Sequence, residues 1–353
     1  MPPSSHPAQP RVSHGVRHPL GTRGAHGGDG AGYGAAVHIE VIVNQGAGSV
    51  DSDDTEAERR RIIESFARHG LDVRVAAVSG MAVGLAVRSA ADRGADVVVV
   101  GGGDGTLGSA ADALSGADAA LGILARGTFN HFAKDLQLPL ELDDAVDVIV
   151  TGETKAIDVA EVNGRTFVNN SSIGLYPVMV DLRDRIRRER GWGKVRSVPV
   201  ASWQVLRRFP TRRLHITVDG HEWERRSPFV FIGNNHYDVG PRGVGARTDL
   251  DEGILSCYVA RAATRLGFVK LALKGVFRGA ARTPELDRAS GPEVTVEAGT
   301  HRMLVAIDGE VDTLRSPLTY TLRAGALKVR VPAHTDPPPG PPEGPEAESG
   351  AHG

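Results

Sequence analysis

Hydrophobic positions along the chain fall into two regimes. Up to about residue 150, short apolar runs alternate with longer stretches of helical period, and beyond it the period is two. In the first regime Val37-His-Ile-Glu-Val-Ile-Val43, Leu71-Asp-Val-Arg-Val-Ala-Ala-Val78, Asp96-Val-Val-Val-Val100 and Leu121-Gly-Ile-Leu124 predict strands. Helices are predicted from about Asp53 to Gly70, with Glu56 placed to close a capping box, from Met81 to Arg93 before Gly94, from Thr106 to about Leu114, and near Leu142 to Val150. Four consecutive valines suit a strand buried on both faces. Strands alternating with helices imply right-handed crossovers and a parallel sheet covered on both sides.

In the second regime Lys155 to Val162, the pair Asn163-Gly164, and Arg165-Thr-Phe-Val168 predict a hairpin with a type I′ turn. Further strands are expected at Leu214–Val218, Phe229–Ile232, Ile254–Val259, Val294–Ala298 and Met303–Ile307, with a second hairpin over Tyr320–Val331 turning at Ala324-Gly325. The pattern reads as a mainly antiparallel β-sandwich with a helical insert at about 179–212. The expected divisions are a disordered tail 1–36, an α/β domain 37–153, a sandwich domain 154–332 whose final strands are free to return to the first domain, and a disordered tail 333–353.

Composition narrows the class. The 353 residues carry a formal charge of −2 and 41% hydrophobic residues, as an ordinary water-soluble protein does. A single cysteine, Cys257, excludes an intrachain disulfide and is expected to pack in a strand. No apolar run approaches the ~20 residues of a membrane span, and the first 36 residues lack the apolar centre of a signal peptide. Charge is uneven, however: from Leu182 to Arg213 eleven basic residues against two acidic ones leave +9, with Trp192, Trp203 and Phe209 interspersed. Two readings stay open there, an anionic membrane surface as partner or a helix pair packed on its own sheet with a solvated charged face. Nucleic acid is not expected as a partner, since no recognised binding motif accompanies the patch. A homodimer remains open.

Candidate chemistry gathers past the carboxyl ends of the predicted parallel strands, where ligands of such sheets bind. Three loops meet that condition: Asn44-Gln-Gly-Ala-Gly-Ser49, Gly101-Gly-Gly-Asp-Gly-Thr106 and Ala125-Arg-Gly-Thr-Phe-Asn130. Gly102, Gly103 and Gly105 strip side chains from the second loop, so that backbone N–H groups and the positive end of a following helix can converge on a phosphate; a tight strand-to-helix turn is the alternative. No Gly-Lys-Ser/Thr follows, so this is not a Walker A loop. Gly103-Asp-Gly-Thr-Leu-Gly108 has dinucleotide-fingerprint spacing, but no acidic residue ends the next strand-like run. Thr128 and Asn130 supply a hydroxyl and an amide, and Asn130 serves equally as a helix cap.

Taken in order, Asn44 to Ser49, Gly102 to Thr106, Leu121 to Asn130 and Asp308-Gly-Glu310 resemble the diacylglycerol kinase catalytic family, which includes bacterial lipid kinases and sphingosine kinases. The resemblance runs from about Val37 to Pro332. It implies an α/β plus β fold, a Rossmann-like parallel domain followed by the sandwich, with ATP and Mg²⁺ bound in the cleft between them. The implied activity is transfer of the γ-phosphate to the hydroxyl of diacylglycerol or a related lipid alcohol, in the cytoplasm at the inner membrane face. Carried over residue by residue, Gly102, Gly103, Gly105 and Thr106 would cradle the phosphates, Asp104 would act on the Mg²⁺-nucleotide complex, and Asn44, Gly46, Gly48, Gly127, Thr128 and Asn130 would complete the nucleotide site. Glu310 resembles the family's general base and Asp158 the aspartate that orients it; a hydroxyl nucleophile needs a carboxylate to accept its proton. Asp249, Asp251 and Glu252 resemble an acidic loop that holds a structural Mg²⁺, with Glu252 where a second aspartate is more usual.

Two departures bear on function. His131 stands where the family commonly has aspartate, so that role is lost, moved or taken by the histidine. Tyr176-Pro177 replaces a small or acidic pair near the implied acceptor groove. Two other functions compete: an NAD kinase-like enzyme with a soluble acceptor, because Gly-Gly-Asp-Gly-Thr is shared with NAD kinases, and a nucleotide- or lipid-binding protein without catalysis.

Overall fold

The computed structural model describes residues 37–46, 52–209, 211–237, 247, 249–261, 264–267 and 286–333, side chains 52–55, 194 and 195 excepted. Nearly all of both expected tails, Gly48 and Ser49, and the cap at the head of the first helix lie outside the described residues.

Strands β1 (Ile39–Asn44), β2 (Arg74–Val78), β3 (Val97–Gly102) and β4 (Ala120–Ala125) run parallel in the order β2-β1-β3-β4. Helices α1 (Ser52–Ala67), α2 (Val83–Asp92, entered through a 3₁₀ turn at Gly80–Ala82), α3 (Asp104–Leu114), the short α4 (His131–Asp135) and α5 (Leu142–Thr151) connect and flank them. The valine run explains why the sheet has helices on both faces. Val97 and Val99 point into one core with Ile62, Phe66 and Ile149, while Val98 and Val100 point into the other with Val87, Leu107 and Leu114. Period-two alternation thus feeds two apolar layers from one strand, each buried valine contributing about 1.5–3 kcal/mol.

The chain continues through β5 (Glu153–Val162), β6 (Arg165–Phe167), β7 (Asn170–Gly174), the helical pair α6 (Leu175–Arg190) and α7 (Lys194–Arg208), β8 (Arg212–Val218), β9 (His221–Ser227), β10 (Phe229–Asn234) and β11 (Leu255–Ala260). It closes with β12 (Leu286–Gly291), β13 (Glu293–Ala298), β14 (Arg302–Ile307), β15 (Glu310–Arg315) and β16 (Leu318–Val331). Two sheets result. The first continues from β4 through β16, β13 and β8 to β9, with β5 and β6 paired beside β16; the second is antiparallel in the order β12-β11-β10-β7-β14-β15. A core including Ile216, Val294, Val296 and Tyr320 from the first sheet and Ile173, Val230, Ile232 and Val305 from the second makes the sandwich. Cys257 lies in β11 within this core, and burial pushes its thiol up to about 12.

The Asn163-Gly164 turn has positive φ at both residues, 46° and 81°, as type I′ requires. The second predicted hairpin is corrected. Tyr320–Val331 is part of one strand, β16, both halves of which pair with β5 on either side of an irregularity between Arg323 and Leu327. Gly325 does adopt a turn-like φ of 59°, but Asp158 Oδ1 of β5 accepts its N–H at 2.8 Å, so the chain bulges and resumes instead of reversing. The far end of β16 lies parallel to β4, with Val329 opposite Leu121, and this makes one continuous sheet of the two halves.

Candidate active site

Strand β3 ends at Gly102 and α3 begins at Asp104, with Gly103 extended between them. Leu107 N donates to Gly103 O at 3.0 Å, the first bond of the helical ladder, so the N–H groups before it have no acceptor within the helix. What the glycines permit can be read one at a time. A Cβ on Gly102 would collide with the Thr106 side chain, and one on Gly127 would lie 2.8 Å from Gly103 Cα and 2.7 Å from Asn130 Oδ1. The second and third loops are therefore packed backbone to backbone.

Hydrogen bonds tie the three loops together. Asn44 Nδ2 donates to Thr106 Oγ1 at 2.8 Å, while Asn44 Oδ1 accepts from Gly46 N at 3.0 Å. Asp104 Oδ1 accepts from Phe132 N at 3.2 Å, holding the start of α4 against the glycine loop. Asn130 is buried with φ 51°, and its side chain accepts from Gly127 N at 2.8 Å inside its own loop instead of capping α4. Thr128 and Phe129 stand exposed on the crest of that loop. His131 stacks on Phe129, ring centroids 5.6 Å apart and planes 12° apart, so its imidazole faces the loop crest.

The second sheet delivers a carboxylate to the same place. Asp308 and Gly309, with φ 45° and 87°, form the tight turn between β14 and β15, and Glu310 opens β15 directly after it. A Cβ on Gly105 would lie 2.5 Å from Glu310 Oε1, and one on Gly108 would lie 3.4 Å from Asp308 Oδ2. Residues three apart share a helix face, so two glycines of α3 are matched to two acidic side chains of the turn. The spacing Gly103-x-Gly105-x-x-Gly108, which has the form of a dinucleotide fingerprint, instead admits a carboxylate pair.

Asp308 is more than a turn residue. Its carboxylate is enclosed and accepts from Val168 N at 2.9 Å, Asn169 N at 2.8 Å and Asn170 N at 3.0 Å. Burial pushes this carboxyl up to about 6, against the opposing effect of those three N–H donors and of the Arg247 charge. Arg247 is itself buried. It pairs with Asp135 of α4 at 2.8 Å, donates to Asn169 Oδ1 at 2.7 Å, and also reaches the carbonyls of Val168 and Asn234. One guanidinium thus joins α4, beside the glycine loops, to the strand ends that hold Asp308. Neither Arg247 nor Asp135 is singled out by sequence pattern, because 112 positions separate them.

Other sequence candidates lie elsewhere. The Asp158 carboxylate, 2% exposed as a residue, accepts from Gly253 N and Gly325 N, each at 2.8 Å, and Glu310 is not among its described partners. Asp251 pairs with Lys155 at 3.2 Å, Glu252 Oε2 accepts from His236 N at 2.8 Å, and Asp249 is exposed. Among the described residues, no three His, Cys, Asp or Glu side chains are grouped to hold a metal ion. A Mg²⁺ that keeps its waters and binds chiefly to phosphates needs only one or two carboxylates, and Asp104 at the glycine loop fits that demand. Among the described residues, no helix is long and apolar enough to cross a membrane.

Residues 38–162 match the family described as Diacylglycerol kinase catalytic domain, and residues 180–331 match the YegS C-terminal NAD kinase beta sandwich-like domain. A protein named Probable lipid kinase YegS-like from Cronobacter sakazakii is 26% identical over 75% of this chain and 87% of its own length. The Diacylglycerol kinase of Mycobacterium tuberculosis is 29% identical over 70% of this chain and 80% of its own. In fold, the chain is similar to the crystal structure of a diacylglycerol kinase from Bacillus anthracis str. Sterne, with a TM-score of 0.62 at 21% identity, covering 84% of this chain and 97% of that one.

Proposed function

The chain belongs to the diacylglycerol kinase catalytic family, and from that premise we propose that it transfers the γ-phosphate of ATP, as its Mg²⁺ complex, to the hydroxyl of diacylglycerol or a related lipid alcohol. The observation that carries this reading is the seating of the Glu310 carboxylate against Gly105 at the head of α3. Donor-side N–H groups and a proton acceptor then flank one point, as in-line transfer to an alcohol requires.

The roles follow from chemistry. Gly102, Gly103 and Gly105 leave backbone N–H groups open to the phosphates, and Thr106 is oriented by Asn44. Asp104 holds the third loop in place through Phe132 N and offers its other oxygen to the nucleotide's metal. Bound Mg²⁺ supplies charge neutralisation between the phosphates. Glu310 accepts the proton of the attacking hydroxyl, and Asp308, fixed by three N–H groups, sets the turn that aims it. Asp158 acts at one remove, by holding Gly253 and Gly325 where β5, β16 and the acidic loop meet.

The test is incubation with labelled ATP, Mg²⁺ and a panel of lipid alcohols, with NAD as the soluble acceptor. Label in a lipid supports the proposal; label in NAD alone, or ATP binding without any phosphorylated product, would replace it with one of the two competing functions.

A further inference from the structure

We propose that the α6–α7 hairpin is a docking surface for an anionic lipid bilayer. The reason lies in which face each helix leaves uncovered. On α7, Ser197, Ala201 and Val205 recur every fourth residue and are buried. The opposite stripe, Arg196, Pro199, Trp203 and Arg207, is exposed. Trp203 is 63% exposed, although a tryptophan has more apolar surface to bury than any other side chain. An indole framed by arginines on one helix face matches the boundary between headgroups and acyl chains, where the apolar body enters and the cations meet phosphates.

Charge points to the same occupant. The acidic partners on the hairpin are few and local: Asp184 takes Arg183 at 2.8 Å and Arg187 at 3.8 Å, and Asp181 takes Arg185 at 3.1 Å. Among the described residues, no ion pair involves Arg188, Arg196, Arg207 or Arg208, and Glu189 is exposed beside them. The hairpin, Leu175 to Arg208, holds nine basic and three acidic residues and so carries +6, while the whole chain carries −2 and the remainder −8. An element so basic is drawn toward an anionic plane. Joint insertion of Pro199 and Trp203 from one face favours a bilayer over a nucleic acid, whose bases take aromatic rings singly.

The position serves the site. Helix α6 begins directly after β7, whose first residue donates its N–H to Asp308, and it packs beside β14 and β15, the strand that Glu310 opens. A bilayer against this hairpin therefore lies over the strands that carry the carboxylate turn. This use rests on the lipid-kinase reading; the binding does not.

Flotation of the full chain with phosphatidylcholine vesicles, with and without phosphatidylglycerol, tests the proposal. Binding is expected only to the anionic vesicles. It should weaken at high salt, fall by roughly tenfold or more in an Arg196→Glu/Arg207→Glu double variant, and fall several-fold in Trp203→Ala at either salt. Unchanged thermal melts and unchanged phosphorylation of detergent-dispersed diacylglycerol should accompany those losses. Failure of the wild type to float, equal flotation of the double variant, or charge-dependent binding to a DNA or RNA duplex with vesicles at background would each overturn it. Flotation without phosphorylation of any lipid would leave the docking surface standing and remove the kinase reading instead.

Discussion

Replacing Gly105 by alanine separates the position of Glu310 from the stability of the helix beneath it. The new Cβ would lie 2.5 Å from Glu310 Oε1, and ordinary contact begins near 3.4 Å, so the carboxylate must retreat by about 0.9 Å. It can do so, because the clash involves the far end of a flexible side chain and no backbone. A shift of about 1 Å in a reacting group costs roughly 100-fold in rate, equivalent to about 2.7 kcal/mol of transition-state stabilisation. Alanine in a helix is at the same time up to about 1 kcal/mol more favourable than glycine. Activity and stability should therefore move in opposite directions: kcat falls about 100-fold with ATP affinity within about threefold of wild type, and the melting temperature holds or rises. Steady-state kinetics, nucleotide titration and a thermal melt read all three. A variant that turns over normally would refute the proposed seating of Glu310. A variant whose kcat and melting temperature fell together would show that Gly105 is needed for folding and not for the approach of the carboxylate.

Two further perturbations probe the network behind Glu310. The Asp308 carboxyl is raised to about 6 by burial; a raised acid stabilises the fold fully below its unfolded value and loses that contribution as pH climbs through about 6. Its replacement in Asp308→Asn should flatten the pH dependence of urea stability between roughly pH 4 and 7, by at most about 3 kcal/mol, and an unaltered slope would contradict the assigned burial. Asp135→Ala leaves the Arg247 guanidinium buried without its carboxylate and should cost about 3–5 kcal/mol in denaturant unfolding, whereas Asp135→Leu with Arg247→Met should recover much of that loss. Equal destabilisation by the single and double variants would show that the ion pair is not coupled.

What was legible in the sequence, and what was not, follows from the range of the interactions involved. Strand β3 announces itself because each of its four valines meets an apolar layer, and the turn Asn163-Gly164 does so because only a few residues adopt both positive φ values. Strand β7, Asn170-Ser-Ser-Ile-Gly174, is hidden by its composition: its serines are buried, with Ser171 Oγ 3.2 Å from Tyr320 OH, so polarity misreports exposure. Strand β9, His221-Glu-Trp-Glu-Arg-Arg-Ser227, is an edge strand whose charges face solvent. In the site, the three loops follow from local glycine patterns at strand ends. The Arg247–Asp135 pair and the three donors to Asp308 join segments more than a hundred residues apart, and no local pattern encodes them. Asp158 is the intermediate case: its place in a strand was legible, but of its two backbone partners Gly325 depends on the bulge in β16 that the hairpin reading missed, and Gly253 lies 95 positions away.

The central claim is that Glu310, held against the glycine loop, takes the proton from a lipid hydroxyl as phosphate is transferred. Its most direct test compares the wild type with Glu310→Gln on diacylglycerol and related lipid alcohols, following label from γ-labelled ATP into the organic phase while ATP binding is titrated in parallel. The account predicts labelled lipid from the wild type, a loss of roughly 100-fold or more in the variant, and equal ATP affinity in both. Comparable labelling by the two proteins, or no labelled lipid from the wild type, would contradict it.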